Sequence, residues 1–182
     1  MSAAGAVLEA RHVTMQFGGL KALSDFDLSL LPGELVGLIG PNGAGKTTAF
    51  NAITGVYPPS AGDVFVAGER VNGRRPHQIC IAGVARTFQN IRLFKELTAV
   101  DNVKVACHHG RKAGFAAAFF LTPAFVADEA RITARAEEYL EVMGLAHRRD
   151  ALAKNLPYGE QRRLEIARAL ATGPRVLCLD EP

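Results

Sequence analysis

The segment Leu35-Val36-Gly37-Leu38-Ile39-Gly40-Pro41-Asn42-Gly43-Ala44-Gly45-Lys46-Thr47-Thr48 decides how the rest of the chain is read. Its first five residues are a short, almost continuous apolar run, the pattern of a strand buried on both faces. From Lys46 to Thr54 the pattern is that of a helix ended by Gly55. Between them, Gly40 to Thr47 match GxxxxGK[ST] at every fixed position, in the strand-then-helix context that identifies a phosphate-binding loop. A triphosphate is a dense anion, and bare backbone N–H groups at a helix N-terminus are a receptor for it. Gly40, Gly43 and Gly45 permit backbone angles and a closeness of approach that a Cβ would forbid, with Pro41, Asn42 and Ala44 completing the loop. Lys46 has the length to reach β- and γ-phosphates, the Thr47 hydroxyl suits one position on Mg²⁺, and Thr48 adds a donor.

The other end of the chain holds a second constellation, Arg175-Val176-Leu177-Cys178-Leu179-Asp180-Glu181. An apolar strand ending in Asp is the usual second half of such a site, with Asp180 placed to hold Mg²⁺ directly or through water. Glu181, the adjacent carboxylate, would stand near the γ-phosphate and polarise an attacking water.

Working outward, Leu8 to Gln16 and Asp25 to Leu30 read as strands, the latter with Phe26, Leu28 and Leu30 on one face. Pro32-Gly33-Glu34 is a turn, Pro58 to Gly62 a loop, Gly62 to Val66 a further strand and Gly68 to Gly73 a turn. Between Ile91 and Asn155 the pattern becomes mostly helical. Ile132, Ala136, Tyr139, Leu140 and Met143 recur at helical spacing, with Gly144 as a terminator. A last helix runs from about Glu160 to Thr172, stopped by Gly173-Pro174, and Arg175 to Leu179 is an apolar strand. The sum is a strand-helix core interrupted by a helical insertion.

Composition narrows the alternatives. Of 182 residues, 48 % are hydrophobic, enough for a real core, and the net charge is only +3, with Arg and Lys scattered as on a solvated surface; no nucleic-acid partner is expected. The three cysteines Cys80, Cys107 and Cys178 lack both disulfide-framework and zinc spacing, and a reducing compartment fits them. His108, His109 and the other histidines have no ligand spacing with acidic or Cys partners. Met1 to Leu8 has no signal-peptide pattern. The longest uncharged stretch, Ala113 to Ala127, is shorter than the roughly 20 residues of a spanning helix and is interrupted by Pro123, which favours a packed helical hairpin.

Leu156-Pro157-Tyr158-Gly159-Glu160-Gln161-Arg162-Arg163, leading into the last helix, resembles the signature loop of ABC ATPases, whose common form is Leu-Ser-Gly-Gly-Gln. Pro157 stands in place of the usual Ser and Tyr158 in place of the first Gly. The resemblance implies that Pro157, Tyr158, Gly159, Glu160 and Gln161 act in trans, closing over ATP held by a partner subunit. Physically the loop is a second anion receptor, because Gly159 admits close backbone approach and the helix dipole favours negative charge. Two further residues take roles from the resemblance. Phe17, in Gln16-Phe17-Gly18-Gly19, matches an aromatic that stacks on adenine, and Gln89, in Ala85-Arg86-Thr87-Phe88-Gln89-Asn90, matches the Gln loop that contacts Mg²⁺ or the attacking water.

Within the family, Phe17 to Leu23, Ala85 to Phe94, Leu97 to Val103 and Leu156 to Leu170 look most like the larger ATPase of branched-chain amino acid importers. That implies an α/β fold: a P-loop (RecA-like) core with an N-terminal antiparallel β part and an inserted helical subdomain, incomplete at the C-terminus. The expected division is 1–90 for the P-loop core with its antiparallel part, 91–155 for the helical subdomain, and 156–182 for the signature helix and Asp-Glu strand returning to the core. The resemblance also implies ATP and Mg²⁺ as ligands, and ATP hydrolysis coupled to transport. Its partners would be a second ATP-binding subunit, identical or different, two membrane permease subunits and, indirectly, an external solute-binding protein. The place of action would be the cytoplasmic face of the membrane. Related urea and lipopolysaccharide systems are the alternatives, with non-transport ABC ATPases behind them. Chromosome-maintenance heads carry long coiled coils between the two loops, whereas here Lys46 and Leu156 are only 110 residues apart without a heptad array, and translation-associated members carry two cassettes. Family members continue beyond this chain's last residue with a partner-contacting loop and a switch His, so the expectation is a fragment of a longer subunit that turns over ATP poorly.

Overall fold

The computed structural model describes residues 5–108 and 122–180, which form two units: 5–86 with 174–180, and 87–108 with 122–173. The first unit opens with β1 (Leu8–Phe17) and β2 (Leu20–Leu30), an antiparallel pair turned at Gly18-Gly19 and registered Leu8 opposite Leu30 and Ala10 opposite Leu28. β3 (Ala61–Val66) pairs on the other side of β1, and β4 (Glu69–Arg70) closes a four-stranded sheet of order β2-β1-β3-β4. The β4 pairing falls where the sequence reads as a turn. Alternation places Leu8, Ala10, Val13 and Met15 of β1 with Val64 and Val66 of β3 on the buried face, and Phe26, Leu28 and Leu30 pack against them. A fully buried Leu or Val side chain contributes roughly 1.5–3 kcal/mol, so this face is the main stabilising surface of the unit.

α1 (Lys46–Ile53) lays Ala52 and Ile53 on the same core, and α2 (Pro76–Ala82) adds Ile79. α2 escapes a reading by periodicity because it is short, but Pro76 at its first position and the Gln78 side chain accepting from the Arg75 N–H at 2.8 Å mark its start. Two parallel strands, β5 (Val84–Arg86) and β6 (Val176–Cys178), pair with Val84 opposite Val176 and Arg86 opposite Cys178.

The strand expected at Leu35 to Ile39 does not form. The segment has no ladder partner, and Leu35 and Ile39 are 96 % and 95 % exposed. A strand apolar on both faces is stable only with neighbouring strands and cover on each side. Here β5 and β6 pair directly with each other, so the run lies outside the ladder.

The second unit is helical. α3 (Ala99–Cys107) starts at Thr98, whose hydroxyl accepts from the Asp101 N–H at 3.2 Å. Asn102, fully buried, donates to the Phe94 and Thr98 carbonyls at 3.0 and 2.9 Å and accepts from the Phe94 N–H at 2.9 Å, holding the preceding turn to the helix. α4 (Pro123–Val142) buries Ile132, Ala136 and Leu140, as its periodicity requires. Pro123, which interrupts the uncharged stretch, stands at the first helical position, where its missing N–H costs nothing; the rest of the expected hairpin, 113–121, lies outside the described residues. α5 (Tyr158–Ala171) packs Leu164, Ala167 and Ala171 against Ala99, Val103, Ala136 and Leu140. Gly55, Gly144 and Gly173 follow the ends of α1, α4 and α5 in the left-handed region, which is why those helices stop there. Among the described residues no helix is long and apolar enough to cross a membrane.

Candidate nucleotide site

In the first unit the loop from Pro41 to Ala44 is exposed and leads directly into α1. Gly43 and Gly45 have φ of 85° and 89°, and a Cβ on Gly45 would come within 2.6 Å of the Ala22 carbonyl oxygen. Only glycine fits there, and the resulting turn leaves the loop amides and the first turn of α1 open to an anion. The Lys46 ammonium lies back across the loop's entry, donating to the Gly40 and Pro41 carbonyls at 2.5 and 2.9 Å. Thr47 is exposed on the first turn of α1, and Thr48 is half-buried beside it. These residues, with the Asp180 carboxylate, are hard oxygen donors plus a cationic and amide cradle, which is the chemistry a magnesium-bound triphosphate needs.

Asp180 follows β6 and is buried. Its Oδ2 accepts from Arg86 Nη2 at 2.8 Å, and the two side chains are 11 % and 6 % exposed. The same guanidinium donates to Asn51 Oδ1 at 2.7 Å and Thr54 Oγ1 at 3.3 Å, and lies 5.4 Å from the centre of the Phe50 ring. One buried cation therefore ties the Asp-bearing strand to the helix that carries Lys46 and Thr47. The sequence motifs give Arg86 no role, although a guanidinium ending the otherwise apolar Val84-Ala85-Arg86 strand demands an anionic partner, which is the signal the sequence holds. Burial pushes the neighbouring Cys178 thiol up to about 11, with Asp180 adding and Arg86 opposing.

Phe17, at the end of β1, is half-exposed rather than in the core and meets Tyr57 edge-on, with ring centres 5.4 Å apart and planes at 82°. Tyr57, to which no sequence motif assigns a role, thus joins Phe17 in an aromatic pair that stays half-exposed.

The second unit carries Gln89 and the Pro157 to Gln161 turn. Gln89 is exposed, and its carbonyl accepts from Arg162 Nη2 at 3.0 Å. Pro157 caps α5, its carbonyl accepting from the Glu160 and Gln161 N–H groups at 2.9 Å each. Tyr158 is exposed, and a Cβ on Gly159 would meet nothing within 4 Å. Glu160 is engaged by Arg148 at 3.0 Å, and Gln161 Nε2 donates to the Leu156 carbonyl at 2.7 Å. The structure thus brings Lys46, Thr47 and Asp180 into one unit and Gln89 with the 157–161 turn into the other. Glu181 lies outside the described residues.

The ABC transporter family profile matches residues 23–182. The chain is 48 % identical to the high-affinity branched-chain amino acid transport ATP-binding protein BraF of Pseudomonas aeruginosa, over 97 % of this chain and 69 % of that protein. It is 45 % identical to the corresponding protein LivG of Escherichia coli K12, with the same coverage. Its fold is similar to the crystal structure of a nucleotide-free ATP-binding cassette from an ABC transporter, with TM-score 0.79, 29 % identity, and coverage of 97 % of this chain and 69 % of that one. These matches and the α/β cradle agree, and the chain belongs to the ABC transporter family as an ATP-binding domain.

Proposed function

We propose that the chain is the ATP-binding and ATP-hydrolysing part of an ABC importer for branched-chain amino acids. The observation that carries this reading is the 48 % identity to BraF over nearly the whole chain, coupled to a cradle whose glycine geometry and donor set suit a magnesium-bound triphosphate. In this reading Gly40 to Gly45 receive the phosphates, Lys46 turns from the Gly40 and Pro41 carbonyls to the β- and γ-oxygens, and Thr48 donates beside it. Thr47, Asp180 and Gln89 are the residues that would hold Mg²⁺, which when bound would supply neutralisation of charge on the phosphates. Phe17 offers the aromatic face for adenine. Glu181 polarises water, Gln89 orients it, and the Pro157 to Gln161 turn closes on nucleotide held by a second ATP-binding subunit. Two membrane permeases receive the motion at the cytoplasmic face, and an external binding protein selects the solute. The transported molecule touches none of these residues.

The test is genetic and biochemical together. Deleting the gene should abolish ATP-driven uptake of leucine, isoleucine and valine, and Glu181→Gln in the assembled transporter should keep ATP binding while removing turnover. Loss of urea uptake or of lipopolysaccharide export, with amino-acid uptake intact, would replace this reading with one of those systems. Co-elution with DNA or ribosomes and never with permeases would remove transport altogether.

A further inference from the structure

Glu165, on α5, is 2 % exposed. A carboxylate withdrawn from water must be met by donors or it costs several kcal/mol. It is met by the segment on either side of Gln89: Oε1 accepts from the N–H groups of Phe88 and Arg92, each at 3.3 Å. Oε2 faces Arg162 Nη1 at 3.3 Å, one turn earlier on the same helix face. That guanidinium covers the opposite polarity, donating to the Phe88 carbonyl at 2.6 Å and the Gln89 carbonyl at 3.0 Å. Residues 87–94 form no helix or strand, so their backbone groups depend on partners elsewhere. Two side chains three residues apart hold N–H and C=O groups of this segment together. Arg168, one turn further along α5, extends the same face to the Phe94 ring at 5.4 Å.

The clasp is four residues from Tyr158, where α5 begins. All four bonds run to main chain rather than to the Gln89 amide, so they set where that residue stands without consuming its side chain's reach. An apolar contact would anchor a loop at less desolvation cost; a charged pair bonded to both donors and acceptors fixes register and direction.

We infer that Arg162 and Glu165 are positioning residues that make the Gln89 segment and the Pro157 to Gln161 turn one rigid lever, so that a displacement of Gln89 is delivered to Gly159. The inference rests on the reading that both loops face nucleotide.

Hydrogen exchange followed by mass spectrometry on the whole chain, with and without Mg-ATP, tests it. Without nucleotide, Glu165→Ala and Arg162→Ala should speed exchange of residues 87–92 about tenfold while the centre of α5 keeps its protection. With Mg-ATP, residues 87–92 and 156–161 of the unaltered chain should change protection over the same range of ATP concentration. In the two variants, the response at 87–92 should persist and that at 156–161 should disappear. Glu165→Gln and Arg162→Lys, which keep an acceptor and a cation, should fall between; they carry the test if the alanine variants do not fold. Unlinked responses in the unaltered chain, no response despite ATP binding, or linkage that survives all four substitutions would overturn the lever alone. Failure of the unaltered chain to bind ATP would overturn the functional reading, and the lever with it.

Discussion

Arg86 and Asp180, 94 residues apart in sequence, form a buried ion pair at 2.8 Å that also reaches Asn51 and Thr54 of α1. Breaking such a pair strands a charge away from water, so the cost is set by the partner left behind more than by the bond lost. Arg86→Ala is expected to destabilise the chain by about 3–5 kcal/mol, read from urea unfolding. Arg86→Met combined with Asp180→Leu should cost clearly less than the sum of the two single changes, because each single change strands a buried charge and the double variant leaves none. Additive losses would show that the pair contributes nothing as a unit.

Lys46 offers the converse case, a residue whose removal should spare the fold. Among the described residues its ammonium hydrogen-bonds only to the carbonyls of Gly40 and Pro41, beside the exposed Asn42, Gly43 and Ala44. Charge-assisted bonds contribute roughly 1.5–3 kcal/mol each, so Lys46→Ala should weaken ATP affinity on the order of 10- to 100-fold. Water replaces its two bonds to the exposed loop, so the unfolding free energy should stay within about 0.5 kcal/mol of the parent's value. A fluorescent ATP analogue gives the first number and chemical denaturation the second. Unchanged affinity would take Lys46 out of the phosphate site.

What was legible in the sequence was local. The loop from Gly40 to Thr47 declares itself because its glycines, Lys and Thr hold fixed spacings within eight residues, and α4 because Ile132, Ala136 and Leu140 repeat at the helical period. Helix ends were legible for the same reason, through Gly55, Gly144 and Gly173. Arg86, Arg162 and Glu165 were not, since Asp180 for Arg86 and the Phe88 and Gln89 backbone for the other two lie more than seventy residues away, and a buried charge looks in sequence like a surface one. The run at Leu35 to Ile39 was misread for a related reason. Its composition states a demand for burial on two faces, but pairing of β5 with β6 decides whether the demand is met.

His12 carries one pH dependence that can be read from this structure. Its Nδ1 is 2.7 Å from Asp25 Oδ1, and Asp27 Oδ2 is 3.6 Å away. The hydrogen bond to Asp25 first, then the charges of Asp27 and Asp25, raise its pKa above the ordinary imidazole value. A raised folded pKa means that the protonated ring favours the folded chain. The contribution is fully present below the unfolded value near 6.5 and fades as pH climbs through the higher folded value. Proton NMR of the His12 ring should show titration above 6.5, and Asp25→Asn should move it back most of the way, since Asp25 supplies the leading cause. A ring that titrates at the same pH in both proteins would show that the pair does not persist in solution.

Gly159 separates folding from function more sharply than any other position. A Cβ there would meet no atom within 4 Å, the backbone is helical, and the residue lies in the first turn of α5. Among the described residues nothing therefore requires glycine there. Glycine within a helix costs up to about 1 kcal/mol relative to alanine, so Gly159→Ala is expected to leave stability unchanged or raise it by a few tenths to about 1 kcal/mol. If the turn from Pro157 to Gln161 closes on nucleotide held by a second subunit, the same methyl group meets phosphate instead of open space. ATP affinity of the isolated chain should then be unaltered, because Lys46 and the Gly40 to Gly45 loop are untouched. ATP-driven association of two ATP-binding subunits, followed by light scattering with hydrolysis blocked by Glu181→Gln, should weaken by roughly tenfold or more, the scale of one lost hydrogen bond to a charged group. Association as strong as in the parent, with stability raised as expected, would mean that Gly159 is an ordinary helix-entry residue and that the second anion receptor lies elsewhere.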